Sequence, residues 1–241
     1  MTSPRQFWDS FVFLPDKGGR LAHPEPHAEL ARYLEALGRV DPVSGLPVFS
    51  EFVISGLKKA AKSTTAAASG LWSLTADPWH HDREVLISSC DEDQSLVVFG
   101  IAAKIVRRHP WLRKQVRVLN REMVYAETLT DQRTGGQYRE EHVLRALPRD
   151  VRGLHGLNPS MVIWDEHWAA DDYLQIEALA PSPARLWPRM IYSSYSGLRS
   201  QQHAGNPWFD LVQRAKRGDD PKLFYSHIGG PDGWKQIPWI T

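Results

Sequence analysis

Short apolar runs alternate along the chain with stretches that have helical periodicity. Runs rich in β-branched and aromatic residues predict four core strands, at 47–54, 84–89, 160–164 and 189–194. Helical spacing of apolar residues and an alanine-rich stretch predict three helices, at 27–37, 60–74 and 94–109. Shorter apolar runs predict further strands at 117–119, 123–125 and 138–147. Strands that alternate with helices are typical of an α/β fold, so we predict a mostly parallel sheet flanked by helices on both faces.

The chain shows no internal repeat, low-complexity tract or linker that would divide it. We therefore expect a single domain over 1–241. Within it we expect a helical N-terminal extension at 1–45, a core at 46–200, and a C-terminal extension or the start of a linker at 201–241.

Composition and charge exclude several classes of protein. Hydrophobic residues make up 42% of the chain and charged residues 24%, which is ordinary globular usage and excludes wholesale disorder. The net charge of +1 gives no global basic field that would draw the chain onto nucleic acid. The single cysteine, Cys90, excludes an intrachain disulfide framework and a cysteine-built metal site. The apolar run at 161–164 is far too short to span a bilayer, so we expect a soluble intracellular protein.

The segment between the first core strand and the alanine-rich helix matches most of the phosphate-loop template G-x-x-x-x-G-K-[ST]. Gly56, Lys62 and Ser63 match, and Ala61 replaces the second glycine, which would allow positive φ and a close backbone approach. In such a loop Lys62 would reach the β- and γ-phosphates, and the Ser63 hydroxyl would bind Mg²⁺. The alternative is a basic turn that begins a surface helix. The predicted nucleotide-binding residues are Gly56, Leu57, Lys58, Lys59, Ala60, Ala61, Lys62, Ser63 and Thr64.

Two carboxylates follow the apolar strand predicted at 160–164, namely Asp165 and Glu166. Ligands of open parallel sheets bind at the C-terminal ends of the strands, where the phosphate loop also lies. Asp165 would hold Mg²⁺ directly or through a water, and Glu166 would orient and deprotonate the attacking water. The alternative is that these acids only favour a turn. Together with Lys62 and Ser63 they predict nucleotide hydrolysis.

With these motifs the chain resembles the large subunit of tailed-bacteriophage terminases, the motor that pumps DNA into a capsid. The segment 58–64 is similar to the lysine-bearing Walker A motif of that family, and 152–167 is similar to its approach to Walker B. Ser193 and Ser194, which follow a predicted strand, resemble the coupling motif that senses the γ-phosphate and links hydrolysis to movement.

The resemblance implies a P-loop NTPase fold and Mg²⁺-dependent ATP hydrolysis that drives translocation of double-stranded DNA. It implies three partners, which are double-stranded DNA, other copies of the chain in a ring on the capsid portal, and the small terminase subunit. It also implies that a membrane is not among the partners, and that the protein is located in the host cell cytoplasm.

Three residues are assigned by the resemblance alone. Arg152 is the candidate for an arginine finger that reaches a neighbouring subunit, with Arg149 second, and a structural ion pair is the alternative for Arg152. The family reads adenine with a glutamine near the N-terminus, and His27 occupies the matching place here.

The residues after Gly197 are too few for the RNase H-like nuclease domain of the family, so we expect that domain to be absent. Two other functions stay open. One is a DExx-type helicase or remodelling ATPase, which would need a second motor-like domain. The other is a nucleotide-binding scaffold that no longer hydrolyses, with Ala61 as its signature.

Basic and histidine residues elsewhere have two interpretations each. The densest basic segment, 104–117, either contacts DNA phosphates or is the solvated face of a helix. His80 and His81 are predicted to be exposed rather than zinc-bound. His167 either tunes Glu166 or packs in the interior. The candidate DNA contacts are Arg107, Arg108, Arg113 and Lys114.

Overall fold

An eight-stranded sheet forms the centre of the computed structural model, in the order β10-β3-β9-β8-β4-β7-β6-β5. Residues 2–15, 21–23, 25–57, 60–148, 156–170, 173–182, 184–195 and 203–228 are described. The strands of this sheet are β3 (Glu51–Gly56), β4 (Glu84–Ser89), β5 (Val116–Val118), β6 (Glu122–Thr130), β7 (Gln137–Ala146), β8 (Met161–Asp165), β9 (Arg189–Ser194) and β10 (Leu223–Ile228). A separate ribbon pairs β1 (Leu14–Pro15) with β2 (Leu21–Ala22).

The helices lie on both faces of the sheet. They are α1 (Pro4–Phe11), α2 (Ala28–Leu37), α3 (Lys62–Ala76), α4 (Glu92–Arg108), α5 (Pro110–Gln115), α6 (Leu174–Ala178) and α7 (Pro207–Arg217), with a short 3-10 helix at His167–Ala169. Side chains alternate between the faces along each strand. Ile163 therefore packs in the core under α1–α4, whereas Trp164 packs with Trp208 of α7 in a second core.

The strands of this sheet from β10 to β7 pair in parallel, whereas β7 with β6 and β6 with β5 pair antiparallel. The prediction of a mostly parallel α/β sheet with helices on both faces is therefore confirmed. In this order β9 lies between β3 and β8, so the ends of the strands that carry the phosphate-loop motif and the two acids are separated by one strand.

Small residues let α3 lie close to the sheet. A Cβ atom at Gly70 would come within 3.0 Å of Ile163 Cδ1 and 3.1 Å of Leu144 Cδ1. The alanine-rich sequence before it, Ala66 to Ala68, is buried on the same side. The axis of α3 can therefore approach the strands closely, and its first turn lies beside the C-terminal ends of β3, β9 and β8.

Several elements were not predicted. The N-terminal region holds α1 as well as α2; α1 begins with a capping box in which Ser3 Oγ accepts from the Gln6 N–H and Gln6 Oε1 accepts from the Ser3 N–H. The pattern Ser-Pro-x-Gln could have indicated this start. The short strands predicted around 123–125 and 138–147 are parts of a long hairpin, and α7 and β10 lie in the region predicted as an extension.

A buried ion pair lies at the end of the sheet where the parallel strands begin. Arg189 Nη1 lies 2.7 Å from Asp77 Oδ2, and both side chains are fully buried. His80 Nδ1 lies 3.1 Å from the same Asp77 oxygen, and its Nε2 lies 2.9 Å from the Leu186 carbonyl oxygen. The prediction that His80 is exposed is wrong, because these two partners allow the ring to be buried. His81 is exposed as predicted.

None of the helices in the described part of the chain combines the length and the apolar character that crossing a membrane requires.

Candidate active site

The structure brings the phosphate-loop motif and the acidic strand end together. Lys62 and Ser63 are the first residues of α3, and Asp165 is the last residue of β8. Ser63 Oγ donates a hydrogen bond to Asp165 Oδ2 at 3.0 Å. Both segments lie at the C-terminal end of parallel strands, which is where ligands of such sheets bind.

The loop enters α3 through Ala61, which adopts the left-handed conformation with φ 60° and ψ 22°. The Ala61 carbonyl accepts from the Thr65 N–H at 2.8 Å and from Thr65 Oγ1 at 2.9 Å, which begins the helix. Ala61 has no side-chain oxygen that could cap the helix, so no N-cap side chain bonds to the first backbone N–H groups of α3. Such a helix terminus favours a negatively charged ligand.

Lys62 folds back over the loop that precedes it. Its Nζ donates to the Leu57 carbonyl at 2.8 Å and to the Gly56 carbonyl at 3.3 Å, and the side chain is buried. Gly56 also packs closely against β10, because a Cβ there would lie 3.2 Å from the Ile228 carbonyl oxygen. The ammonium group is therefore held beside the loop backbone and the first turn of α3.

Asp165 is a buried acid surrounded by hydroxyl groups. Register across the sheet aligns it with Ser89 of β4 and Ser193 of β9. Burial raises the pKa of Asp165, and Ser193 and Ser63 oppose that rise. Asp165 Oδ1, Ser89 Oγ and Ser193 Oγ have no well-aligned hydrogen-bond partner among the described residues. A buried carboxylate oxygen without a well-aligned partner, at a strand end that also presents serine hydroxyls, fits a hard divalent cation such as Mg²⁺.

Glu166 follows Asp165 in a left-handed conformation, with φ 53°. This turn leads into the 3-10 helix, and Trp168 Nε1 donates to Glu166 Oε2 at 2.7 Å. Trp168 was not identified from the sequence. A tryptophan two residues after a carboxylate carries no signal by itself, because only the left-handed turn brings the indole back onto the acid.

Ser193 and Ser194 end β9 and are fully buried. Ser194 Oγ accepts from the Trp168 backbone N–H at 3.0 Å. Tyr195 follows, its ring centroid lying 5.0 Å from that of Trp168. Burial and the negative charge of Glu166 raise the pKa of Tyr195. The predicted coupling segment therefore lies beside Asp165 in the sheet and contacts Trp168, which in turn contacts Glu166.

His27 lies next to the phosphate loop but serves as a helix cap. Its Nδ1 accepts from the Leu30 N–H at 3.1 Å at the start of α2. Burial lowers the pKa of His27, and the backbone of Ala60 opposes that shift. His27 and Lys62 line the same small cavity. An adenine-reading role for His27 stays a prediction.

His167 packs in the interior on the other side of the sheet from Asp165. Its ring is surrounded by those of Trp164, Tyr192 and Trp208, at centroid distances of 5.5, 5.1 and 5.7 Å. Burial lowers the pKa of His167 to about 3. Of the two interpretations of this histidine, the contacts support packing.

The remaining predicted residues lie away from this site or outside the described residues. The candidate DNA contacts are exposed at the end of α4 and in α5. Because α4 runs back from the C-terminal end of β4, they lie at the opposite end of the sheet from Ser63. The predicted residues Lys58, Lys59, Arg149 and Arg152 are outside the described residues.

Comparison of sequences finds no family model and no curated protein that matches the chain. Comparison of structures finds phage proteins. The large terminase of bacteriophage HK97 superposes with a TM-score of 0.72 at 18% identity, covering 100% of this chain and 50% of that one. The large terminase ATPase domain of Thermus phage P74-26 gives a TM-score of 0.61 at 18% identity, covering 88% and 89%.

The large terminase of a thermophilic bacteriophage, in complex with ADP, gives a TM-score of 0.58 at 10% identity, covering 84% of this chain and 45% of that one. The chain thus spans about half the length of the large terminases of HK97 and of this thermophilic phage. By its sheet order, its helices and these superpositions, the chain has the fold of the ATPase domains of bacteriophage large terminases.

Proposed function

We propose that the chain is the ATP-hydrolysing motor domain of a phage large terminase, which couples hydrolysis of Mg-ATP to translocation of double-stranded DNA into the capsid. The observation that carries the proposal is the 3.0 Å contact between Ser63 Oγ and Asp165 Oδ2 at the head of α3. It brings together a phosphate-loop motif and an acidic strand end that are far apart in the sequence, within a fold shared with terminase ATPase domains.

The first turn of α3 and Lys62 would bind the phosphates. The Lys62 ammonium, which now donates to the Gly56 and Leu57 carbonyls, would donate to the β- and γ-phosphate oxygens. Ser63 and Asp165 would hold Mg²⁺, which when bound neutralises charge on those oxygens. The likeness to the large terminase of the thermophilic phage, which was solved with ADP and with ATP-γ-S, supports nucleotide as the ligand.

Glu166 would act as the general base. Its carboxylate would accept a proton from water as the water oxygen bonds to the γ-phosphorus and the bond to the bridging oxygen breaks. The left-handed turn at Glu166 separates its role from that of Asp165, because Asp165 stays buried at the strand end while Glu166 is half-buried at the surface.

The wider assignments are part of the same proposal. We assign the chain as one ATPase domain, with the core at 46–200 between the extensions at 1–45 and 201–241. Its partners are double-stranded DNA, other copies of itself in a ring on the capsid portal and the small terminase subunit, in the cytoplasm of the host cell. Arg152, or Arg149, would act in trans only in that ring, so the isolated domain is a slow ATPase.

The proposal is tested with Glu166→Ala and Lys62→Ala. We expect Glu166→Ala to bind ATP with the parental affinity and to release no phosphate, because only the base is lost. We expect Lys62→Ala to lose most of the affinity for ATP. Glu35→Ala, an exposed change on α2, is the control and should hydrolyse ATP like the parent. Turnover at the parental rate in Glu166→Ala would contradict the assignment of the base, and binding by the parent without phosphate release would favour the scaffold.

A further inference from the structure

Trp168 contacts the candidate general base and the predicted coupling segment at the same time. Its indole N–H donates to Glu166 Oε2 at 2.7 Å. Its backbone N–H donates to Ser194 Oγ at 3.0 Å, and its ring lies against that of Tyr195 at a centroid distance of 5.0 Å. One side chain of the 3-10 helix therefore links the segment after β8 to the end of β9.

We propose that Trp168 is a positioning residue, which holds the Glu166 carboxylate and moves it in response to the end of β9. This inference rests on the proposed function, since it assigns a partner to the general base of that reaction. A glutamate side chain has three rotatable torsions, and a charge-assisted hydrogen bond restricts where its carboxylate points. Because Ser194 and Tyr195 contact Trp168 directly, a shift of the β9 end displaces the indole and with it the carboxylate.

The surroundings of Trp168 favour this role over simple packing. Its side chain is half-buried and packs against the margin of the second core rather than being enclosed in it. Trp164, four residues earlier, is the opposite case, because it is buried and its Nε1 has no hydrogen-bond partner among the described residues. Trp164 is thus used for its bulk, whereas Trp168 directs its only side-chain donor at Glu166.

The first test is Trp168→Phe, which keeps a ring and removes the N–H. We expect kcat for ATP hydrolysis to fall between about 10-fold and 100-fold, because a misplaced base loses alignment with the water. The affinity for ATP should stay within about twofold, because Trp168 has no part in phosphate binding. Trp164→Phe is the matched control, since the same chemical change there removes no observed hydrogen bond, and its kcat should stay near the parental value.

The coupling itself is tested by combining Trp168→Phe with Ser194→Ala. If the two residues act through one path, the double variant should be about as slow as the slower single variant rather than showing the product of both effects. Parental kcat in Trp168→Phe, or full multiplication of the two effects, would overturn the proposal.

A second readout does not depend on turnover. We expect the indole N–H proton resonance of Trp168, assigned by its loss in Trp168→Phe, to lie downfield and to move upfield in Glu166→Ala. We also expect it to shift on addition of Mg²⁺ and ATP-γ-S in the parent, and to shift less in Ser194→Ala. If the parent does not hydrolyse ATP, the proposed function is wrong, and these resonance shifts are then the only test of the positioning role of Trp168. A resonance unmoved by Glu166→Ala or by nucleotide would overturn the proposal.

Discussion

Ala61 carries a backbone conformation that glycine adopts without strain. Its φ of 60° lies in the left-handed region, where the Cβ atom crowds the following carbonyl oxygen. The phosphate-loop template has glycine at this position. The loop thus keeps the conformation that the template requires while carrying a residue that is strained in it.

We expect Ala61→Gly to raise the free energy of unfolding by about 0.5–1 kcal/mol, since relief of the left-handed strain exceeds the entropy that glycine adds to the unfolded chain. Ala66→Gly, the same substitution inside α3, is the control and should lower the free energy of unfolding by about 1 kcal/mol. Urea unfolding measures both. A loss of stability in Ala61→Gly equal to that in Ala66→Gly would show that position 61 is not strained.

Elements that are distant in sequence are joined by the ion pair of Asp77, which follows α3, with Arg189, which begins β9. The Arg189 guanidinium lies 4.7 Å from the centre of the Trp79 ring and 5.4 Å from that of Trp72. Burial alone would raise the pKa of Asp77, but the charge of Arg189 and the contact with His80 outweigh it and lower that pKa to about 2. The same α3 that begins at the phosphate loop is thus tied at its other end to the strand that ends in Ser193 and Ser194.

We expect Asp77→Asn to lower the free energy of unfolding by about 3–5 kcal/mol, because it leaves the buried Arg189 charge without its counter-charge. The control is Asp219→Asn, which removes an acid that also pairs with an arginine, Arg217, at 3.3 Å, in a pair whose side chains are both exposed, at 63% and 60%. That change should cost less than about 1 kcal/mol. Equal costs for the two variants, measured by urea unfolding at neutral pH, would contradict the role assigned to Asp77.

Across the whole molecule the two ends of the sheet differ in how their buried acids are compensated. At one end Asp77 has a full counter-charge and a lowered pKa, and at the other Asp165 is surrounded mainly by hydroxyls and has a raised pKa. The first arrangement stabilises the fold when the acid is ionised. The second opposes ionisation, so the candidate site carries an acid that a cation would stabilise.

This difference predicts how stability depends on pH. The folded pKa of Asp77 is about 2 and its ordinary value is 3.8, so its contribution is complete above pH 4 and is lost as pH falls towards 2. By linkage that loss is about 2 kcal/mol. We therefore expect the gap in unfolding free energy between the parent and Asp77→Asn to narrow by about this amount from pH 5 to pH 2. A gap that stays constant over that range would contradict the lowered pKa.

Most elements of the core were predictable from the sequence because their patterns are local. The strands at Glu84–Ser89 and Arg189–Ser194 have the predicted bounds, and α2 begins one residue after the predicted start. The helix α7 has a local signal that was missed, an Asn206 cap followed by Pro207. The strand β10 depends instead on its pairing with β3, which is distant in the sequence. The burial of His80 likewise depends on its contacts with Asp77 and Leu186.

The sequence by itself determined the phosphate-loop and acidic motifs and the alternation of strands and helices, because each depends on neighbouring residues and their backbone preferences. The tertiary structure decided that Ser63 hydrogen-bonds to Asp165, although β9 lies between the strands β3 and β8 that lead to them. It also decided that Trp168 links Glu166 to Ser194. Strand order and the left-handed turn at Glu166 create these contacts. Neither follows from short-range pattern, because which strands become neighbours depends on the packing of the whole chain.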